Sequence, residues 1–354
     1  MSVDHDFGNG YAARVSYIGS NGRQLVWAPD ENSLPFSSTI SANNAPLSSR
    51  LFPNWGRINT RATGANSTYN SLQIEANHRF QRGLQFNSAY TFAKAMSDNQ
   101  GPNNTGFAGE TGGGRATSIL QRSADFGNVT GTRRHRWSNS MIYDLPFGRG
   151  RQFATDVPRA LDLLIGGWRI SNIFLWESGP YQTPYFPSGQ GDPSGTGSGL
   201  NGSKAGFDGG HRTQHVDVVQ GVNQTPANRT RLNWVSAAAF TCPGYPGWQP
   251  GTSCTTGSGS GPAPLPIGRF GNAPVGSVIG AGTVNLSSGV SKSFPITEGI
   301  RFRLEGTFTN VLNHTNLGDP NLNITSTTFG RISGTISADN GGARTGQVSA
   351  RIDF

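Results

Sequence analysis

The chain has 354 residues, of which 34% are hydrophobic and only 14% are charged. Soluble domains usually contain about 25% charged residues, and here 50 glycines and 21 prolines help to fill the difference. This composition favours strands joined by long polar loops and argues against helices. The formal net charge is +8, which would suit a nucleic-acid-binding protein. The basic residues are scattered, however, and their one cluster, at 133–136, opens a strand. We therefore predict no nucleic-acid partner.

Ten segments alternate apolar and polar residues with the period of two that is typical of β-strands. In chain order they are 11–18, 22–28, 57–63, 69–80, 84–95, 133–145, 166–178, 282–294, 299–311 and 344–354, the second and third being weaker. Some connections are tight turns, whereas the loops at about 97–132, 180–281 and 312–344 are longer than soluble domains usually contain. Short turns at one end and long loops at the other are typical of outer-membrane barrels.

Aromatic residues are spaced along the apolar faces of two of these segments. Trp168 and Trp176 are eight residues apart on one face, which is about 26 Å along a strand and about 20 Å along a membrane normal for a tilt of about 40°. Trp137 and Tyr143 repeat the scheme on the neighbouring strand in the opposite direction. We expect these four residues to belong to the aromatic girdles that flank an apolar band about 25 Å tall.

Charged residues occupy the centres of two strands. In the segment 300–311, Arg301, Arg303 and Glu305 alternate with apolar residues, and near the carboxy terminus Arg351 and Asp353 do the same. A soluble β-sandwich, which is the alternative fold, would rarely leave charges along strand centres. The pattern therefore favours an antiparallel transmembrane β-barrel with lipid on one face and water on the other.

The two cysteines, Cys242 and Cys254, lie in a stretch rich in glycine and proline. We expect them to form a disulfide that closes a small surface loop, outside any core and in an oxidising compartment. No histidine or cysteine nearby completes a zinc site. His211 and His215 are four residues apart but lie in a glycine-rich loop, so they predict no metal site. No catalytic constellation stands out, and the chain is predicted to need no cofactor and not to be an enzyme.

Several longer sequence segments follow one another in a specific order. They are STYNSLQIEANHRFQRGLQFNSAYTFAKAMSD (67–98), RRHRWSNSMIYDLPFGRGRQF (133–153), GGWRISNIFLWESGPYQTP (166–184), NWVSAAAF (233–240), LSSGVSKSFPITEGIRFRLEGTFTNVLNHTNLGDPN (286–321) and the closing FGRI…QVSARIDF. Together they resemble the carboxy-terminal part of TonB-dependent outer-membrane receptors of the Oar-like branch. The resemblance implies a plugged barrel of about 22 strands in the Gram-negative outer membrane, of which this chain holds the last nine or ten.

The resemblance also implies an orientation and partners. Phe354 is expected at the periplasmic rim, and Val348, Ala350, Ile352 and Phe354 match the recognition signal of the barrel assembly machinery. The long loops and the cysteine pair then lie outside the cell. The five charged residues Arg301, Arg303, Glu305, Arg351 and Asp353 face the lumen, and outer-membrane lipid covers the other face.

The sequence shows no signal peptide, TonB box or plug domain, so we expect a fragment that reaches the TonB complex only through a missing amino-terminal plug. Its ligand is not readable from the loops. We expect the fragment to form an open, curved half-barrel or a strained closure, because its register suits a wider barrel. Since lipid does not tolerate unpaired edges, we expect no stable independent pore. A surface adhesin or secretion-associated barrel and a secreted soluble β-protein remain as alternatives.

Overall fold

The computed structural model describes residues 1–39, 49–55, 58, 60–99, 118–187, 192–196, 214–245, 248–254, 266–297, 299–336 and 341–354. These residues contain one short α-helix, α1 (Arg159–Ile165), and 3₁₀ turns at Arg122–Asp125 and Ala237–Ala239. The strands are β1 (Ser2–Gly8), β2 (Tyr11–Trp27), β3 (Ala62–Gln81), β4 (Leu84–Ser97), β5 (Gly127–Asn128), β6 (His135–Asp144), β7 (Trp168–Glu177), β8 (Tyr181–Gln182), β9 (Tyr185–Phe186), β10 (Gln214–His215), β11 (Asp217–Val218), β12 (Phe240–Thr241), β13 (Val278–Ile279), β14 (Thr283–Pro295), β15 (Arg301–Thr309) and β16 (Thr345–Asp353).

Nine long strands form one antiparallel sheet in the order β1-β2-β3-β4-β6-β7-β14-β15-β16, and β5 joins the end of β4. Each long strand follows its neighbour in the chain, so the sheet is an up-and-down meander. This confirms the predicted all-β, antiparallel fold class. Among the described strands, β1 and β16 each pair on one side only, so the sheet is open.

The strand boundaries differ from the prediction near the amino terminus. The segments 11–18 and 22–28 belong to the single strand β2, whose register shifts between Gly22 and Leu25. Gln24, with a backbone φ of 54°, lies within this shift. β1 was not predicted, because its residues SVDHDFG alternate too weakly; it pairs with β2 across a two-residue turn.

The predicted strands 57–63 and 69–80 also differ from the structure. Residues 57 and 59 lie outside the described residues, and β3 runs without a break from Ala62 to Gln81. Its polar stretch pairs with both β2 and β4 through the backbone. Backbone hydrogen bonds do not depend on apolar side chains, so a polar stretch in the middle of a sheet need not end a strand.

The two ends of the sheet are built differently. At the turn end, β1 and β2, β3 and β4, and β14 and β15 are joined by connections of a few residues. The fourth connection there, between β6 and β7, contains α1. Lys292 donates hydrogen bonds to the carbonyl oxygens of Leu164 (3.1 Å) and Gly166 (2.5 Å), and its ammonium lies 4.6 Å from the ring centre of Trp168. These contacts explain a lysine on an otherwise apolar strand face.

At the loop end, the long connections fold into a separate layer, which we call the cap (described residues of 181–281 and 317–336). Three pairs of two-residue strands, β8–β13, β9–β10 and β11–β12, organise it. Its core consists of Phe186, Val216, Val235, Ala239, Phe240, Cys242, Tyr245, Trp248, Cys254, Ala273, Val278, Leu322, Ile324 and Phe329. The cap therefore has a hydrophobic core of its own.

The cap is attached to the sheet by close backbone approaches. A Cβ added to Gly179, just after β7, would collide with the carbonyl oxygen of Gly280, just before β14, and one added to Gly127 would collide with the carbonyl oxygen of Val275. Gly280 also donates a backbone hydrogen bond to Pro180 (2.8 Å). Only glycine permits these approaches.

Candidate functional site

The charged residues predicted to face a lumen share one face of the edge strands. Arg301 lies opposite Asp353 and Arg303 lies opposite Arg351 in the register of β15 and β16. Asp353 is 2.6 Å from the Nε atom of Arg351 and 3.4 Å from Arg303. Arg303 and Arg351 thus share the Asp353 carboxylate. With Arg301 and Glu305 on the same face, three arginines stand against two acidic side chains near the turn end.

The same face carries further ion pairs between neighbouring strands. Such cross-strand pairs stabilise a sheet modestly when exposed. They are Asp4 with Arg14, Asp144 with Arg169 (2.5 Å), Arg136 with Glu177 (2.9 Å) and, from the residues before β6, Arg133 with Glu177 (3.4 Å). The polar face is therefore a ladder of paired charges across the sheet.

The opposite face is apolar, with its aromatic residues at two levels. Trp137 and Trp176 are direct register partners towards the loop end. Tyr143 pairs with Ile170 near the turn end, where the Leu145 backbone N–H donates to the carbonyl oxygen of Trp168. The four aromatics predicted as girdle residues thus occupy two rows, and their contact with a membrane interface remains a prediction.

Polar residues on this apolar face are hydrogen-bonded to one another. Ser288 donates to the Oδ1 atom of Asn172 (2.6 Å), and the Trp137 Nε1–H donates to Ser88 (2.9 Å). These pairs could not be predicted from the sequence, because each partner lies on a different strand. Their mutual bonds satisfy groups that an apolar surrounding would otherwise leave without partners.

At the turn end, the apolar face contains a cavity of about 320 Å³. Its walls come from the turn between β1 and β2, from the turn between β3 and β4, and from the strands beside them. The lining residues are Asn9, Tyr11, His78, Gln81, Arg82, Leu84 and Tyr143. Aromatic rings, amides and one cation therefore meet in one recess.

Cys242 and Cys254 form a disulfide with their Cα atoms 5.7 Å apart. Their burial differs from the expectation of a bond in a surface loop, because the two residues are only 1% and 2% exposed and belong to the cap core. Tyr245 and Trp248, from the same stretch, are buried there too. The glycines and prolines around the pair turn the chain tightly enough to bring these apolar residues together.

Polar and cation–π contacts hold the surrounding loops. His215, in the cap, lies 3.3 Å from Asp125 of the preceding loop, and both side chains are 1% exposed. Arg269 binds both carboxylate oxygens of Asp217 (2.8 and 2.9 Å), and these hydrogen bonds raise the pKa of Arg269. Burial lowers the pKa of Arg229, whose guanidinium carbon lies 4.1 Å from the ring centre of Trp234. These contacts are structural.

The histidine pair predicted to form no metal site lies partly outside the described part of the chain. His211 lies outside it, and no group of three histidine, cysteine or acidic side chains that could hold a metal occurs within it. No described helix is long and apolar enough to cross a membrane.

The carboxy-terminal pattern lies at the sheet edge. Val348, Ala350 and Ile352 alternate along β16, and Phe354 follows the strand with 99% of its surface exposed. Recognition of these residues by an assembly machinery remains a prediction.

Comparison with known proteins gives the family. No curated protein matches the sequence. Among solved structures, the outer membrane transporter YddB from Escherichia coli is similar, with a TM-score of 0.42 and 8% identity over 99% of this chain; the chain spans 31% of that transporter. A family model described as "Outer membrane beta barrel domain" matches residues 1–347. The chain therefore belongs to the family of outer-membrane β-barrel domains.

Proposed function

We propose that the chain is a wall segment of a larger outer-membrane transporter, of the TonB-dependent receptor type and its Oar-like branch. One observation carries the proposal: the nine long strands form an open sheet with one apolar and one charged face. Lipid would cover the apolar face, while the ladder of ion pairs would line a water-filled lumen. The solute is unidentified.

The number of strands supports a segment rather than a complete pore. Nine strands joined by antiparallel steps leave β1 and β16 running in the same direction. Closure of the chain on itself would need a parallel pair in an otherwise antiparallel barrel. Two copies inserted in one orientation would meet through parallel pairs as well. An odd number of added strands would restore antiparallel pairing at both edges.

The construction of the two ends supports an orientation. Outer-membrane barrels have short turns on the periplasmic side and longer loops outside. The turn end would then face the periplasm and the cap the exterior, where a disulfide persists. In the complete transporter, Arg301, Arg303 and Arg351 would contact the plug or line the solute path, and coupling to TonB would require that plug.

The cap favours a second candidate, a surface adhesin. Its fourteen-residue hydrophobic core and its disulfide form a folded layer, and such a layer can present a stable contact surface without any import. In this case the wall would serve as an anchor, and β1 and β16 would still need added strands.

Reconstitution of the purified chain tests the proposal. A wall segment should give no stable unitary conductance in a planar bilayer and no heat-modifiable band on a gel. Amides of β1 and β16 should exchange with deuterium much faster than those of β3 and β4. A stable pore with a heat-modifiable band would refute the segment proposal. An in-frame continuation upstream of the Met1 codon encoding a plug would favour the transporter, and a separate promoter without a plug would favour the adhesin.

A further inference from the structure

The two short turns beside the cavity have the same backbone but different sequences. Asn9–Gly10 and Arg82–Gly83 both have positive φ at both positions, 51° and 80° in the first and 51° and 83° in the second. Such two-residue hairpin turns strongly prefer asparagine, aspartate or glycine at the first position. Asn9 follows this preference, whereas Arg82 adopts a conformation that is unfavourable for a long side chain.

Arg82 is exposed and lies at the edge of the cavity. Within the described part of the chain its guanidinium forms no ion pair, and the residues that line the cavity include no carboxylate. An arginine in a strained turn position, beside a recess without negative charge, is suited to an anion from outside the chain.

The other walls of the cavity combine aromatic rings, two amides and one aliphatic side chain. Tyr11 pairs with His78, and Leu84 pairs with Tyr143, in the register of the sheet. The rings of Tyr11 and His78 lie 4.1 Å apart. His78 Nδ1 lies 3.0 Å from the carbonyl oxygen of Leu84; because that oxygen only accepts, Nδ1 carries the hydrogen and the imidazole is fixed in place.

The position of the cavity limits the kind of anion. Tyr11, Leu84 and Tyr143 belong to the apolar face, and Tyr143 lies in its aromatic row at the turn end. In a membrane barrel, this row lies at the level of the lipid headgroups. A ligand there would place its charge near Arg82 and its hydrocarbon along the apolar face.

We propose that this cavity binds the phosphate headgroup of an anionic phospholipid from the periplasmic leaflet of the outer membrane. Arg82 supplies the positive charge, the amides of Asn9 and Gln81 and the hydroxyls of Tyr11 and Tyr143 supply hydrogen-bond donors, and Leu84 packs against the start of the acyl chains. This inference rests on the proposed membrane function and adds to it a specific lipid site.

Native mass spectrometry of the full chain in detergent tests the proposal. The protein is titrated with phosphatidylglycerol and with phosphatidylcholine of the same acyl chains. The wild type should prefer phosphatidylglycerol, and Arg82→Asn should weaken its binding about tenfold, as expected for loss of charge-assisted hydrogen bonds. This variant should fold, because it gives the turn the same Asn-Gly sequence as the turn at Asn9–Gly10. Arg82→Lys should retain most of the preference, and Arg149→Ala, which removes another exposed turn-end arginine, should not alter it.

Each alternative result has a distinct meaning. Equal binding of the two lipids by the wild type, or unchanged binding by Arg82→Asn, would overturn the lipid site. Inorganic phosphate binding that depends on Arg82, without any preference between lipids, would replace it with a free-anion site. Failure of the chain to insert into phosphatidylglycerol vesicles would count against the proposed membrane function, whereas insertion without a lipid preference would count only against this site.

Discussion

Removal of the disulfide should destabilise the cap without affecting the sheet. The Cys242–Cys254 bond joins residues with a sequence separation of 12. The loop-closure entropy of such a cross-link corresponds to about 3 kcal/mol at room temperature. We therefore expect Cys242→Ala/Cys254→Ala to lower the free energy of local cap unfolding by about 3 kcal/mol. Alanine is apolar and small, so the double variant reports mainly the loss of the cross-link.

A serine double variant separates the bond from its burial. Cys242 and Cys254 are 1% and 2% exposed, so each serine hydroxyl would enter the hydrophobic core of the cap. A buried hydroxyl without a partner costs about 1–3 kcal/mol. Cys242→Ser/Cys254→Ser should therefore be less stable than the alanine pair. Equal stability of the two variants would place the sulfurs at the surface, as the sequence first suggested, and would refute the buried arrangement.

Hydrogen exchange resolved by segment measures the effect. A loss of about 3 kcal/mol accelerates exchange through local opening on the order of 100-fold. This acceleration should appear in β9 to β13 and be absent from β3 and β4. Reduction of the wild type with dithiothreitol should reproduce the alanine result. Unchanged exchange in the cap, or equal acceleration in the sheet, would refute the view that the cap has an independent core.

Three further changes test other contacts. Gly179→Ala should destabilise the junction of cap and sheet by about 1–3 kcal/mol, measured by thermal unfolding. The control Gly299→Ala should have little effect, because no atom lies within 4 Å of its added Cβ. Asn32→Ala should cost about 2 kcal/mol locally, because the buried amide bonds the backbone of Phe52 and Trp55; faster exchange in 49–55 would report it. Asp217→Asn should weaken its arginine contact by about 1 kcal/mol, and unchanged exchange in β11 would contradict this.

The sheet was largely predictable because period-two patterning is a local property. The alternation of Phe302, Leu304 and Phe308 with charged or polar neighbours reports directly which face a residue occupies. In β15 and β16 the same alternation placed the charged residues on one face, where Arg303 and Arg351 became partners of Asp353. The prediction failed where pairing is carried by the backbone alone, as in the polar part of β3 and in the acidic strand β1.

The cap could not be predicted, because its core has no sequence period. Phe186, Val216, Phe240 and Ile324 come from distant parts of the chain, and each has a polar residue or a proline directly beside it. A stretch of this composition suggests a solvated loop when read locally. The misplacement of the cysteines had the same cause, since residues far along the chain determine whether a turn is buried.

The open sheet and the cap are stabilised in two different ways. The apolar face of the sheet is not buried within the chain, since Val15, Trp137 and Leu304 on it are 45%, 42% and 44% exposed. Under the proposed function, lipid and added strands would stabilise it. The cap buries its own apolar residues and is cross-linked. If the wall is incomplete, the cap should therefore remain folded while the edge strands open first. Under the proposed function, binding by the cap would be tested on the chain as it is, whereas transport would be tested on the complete barrel.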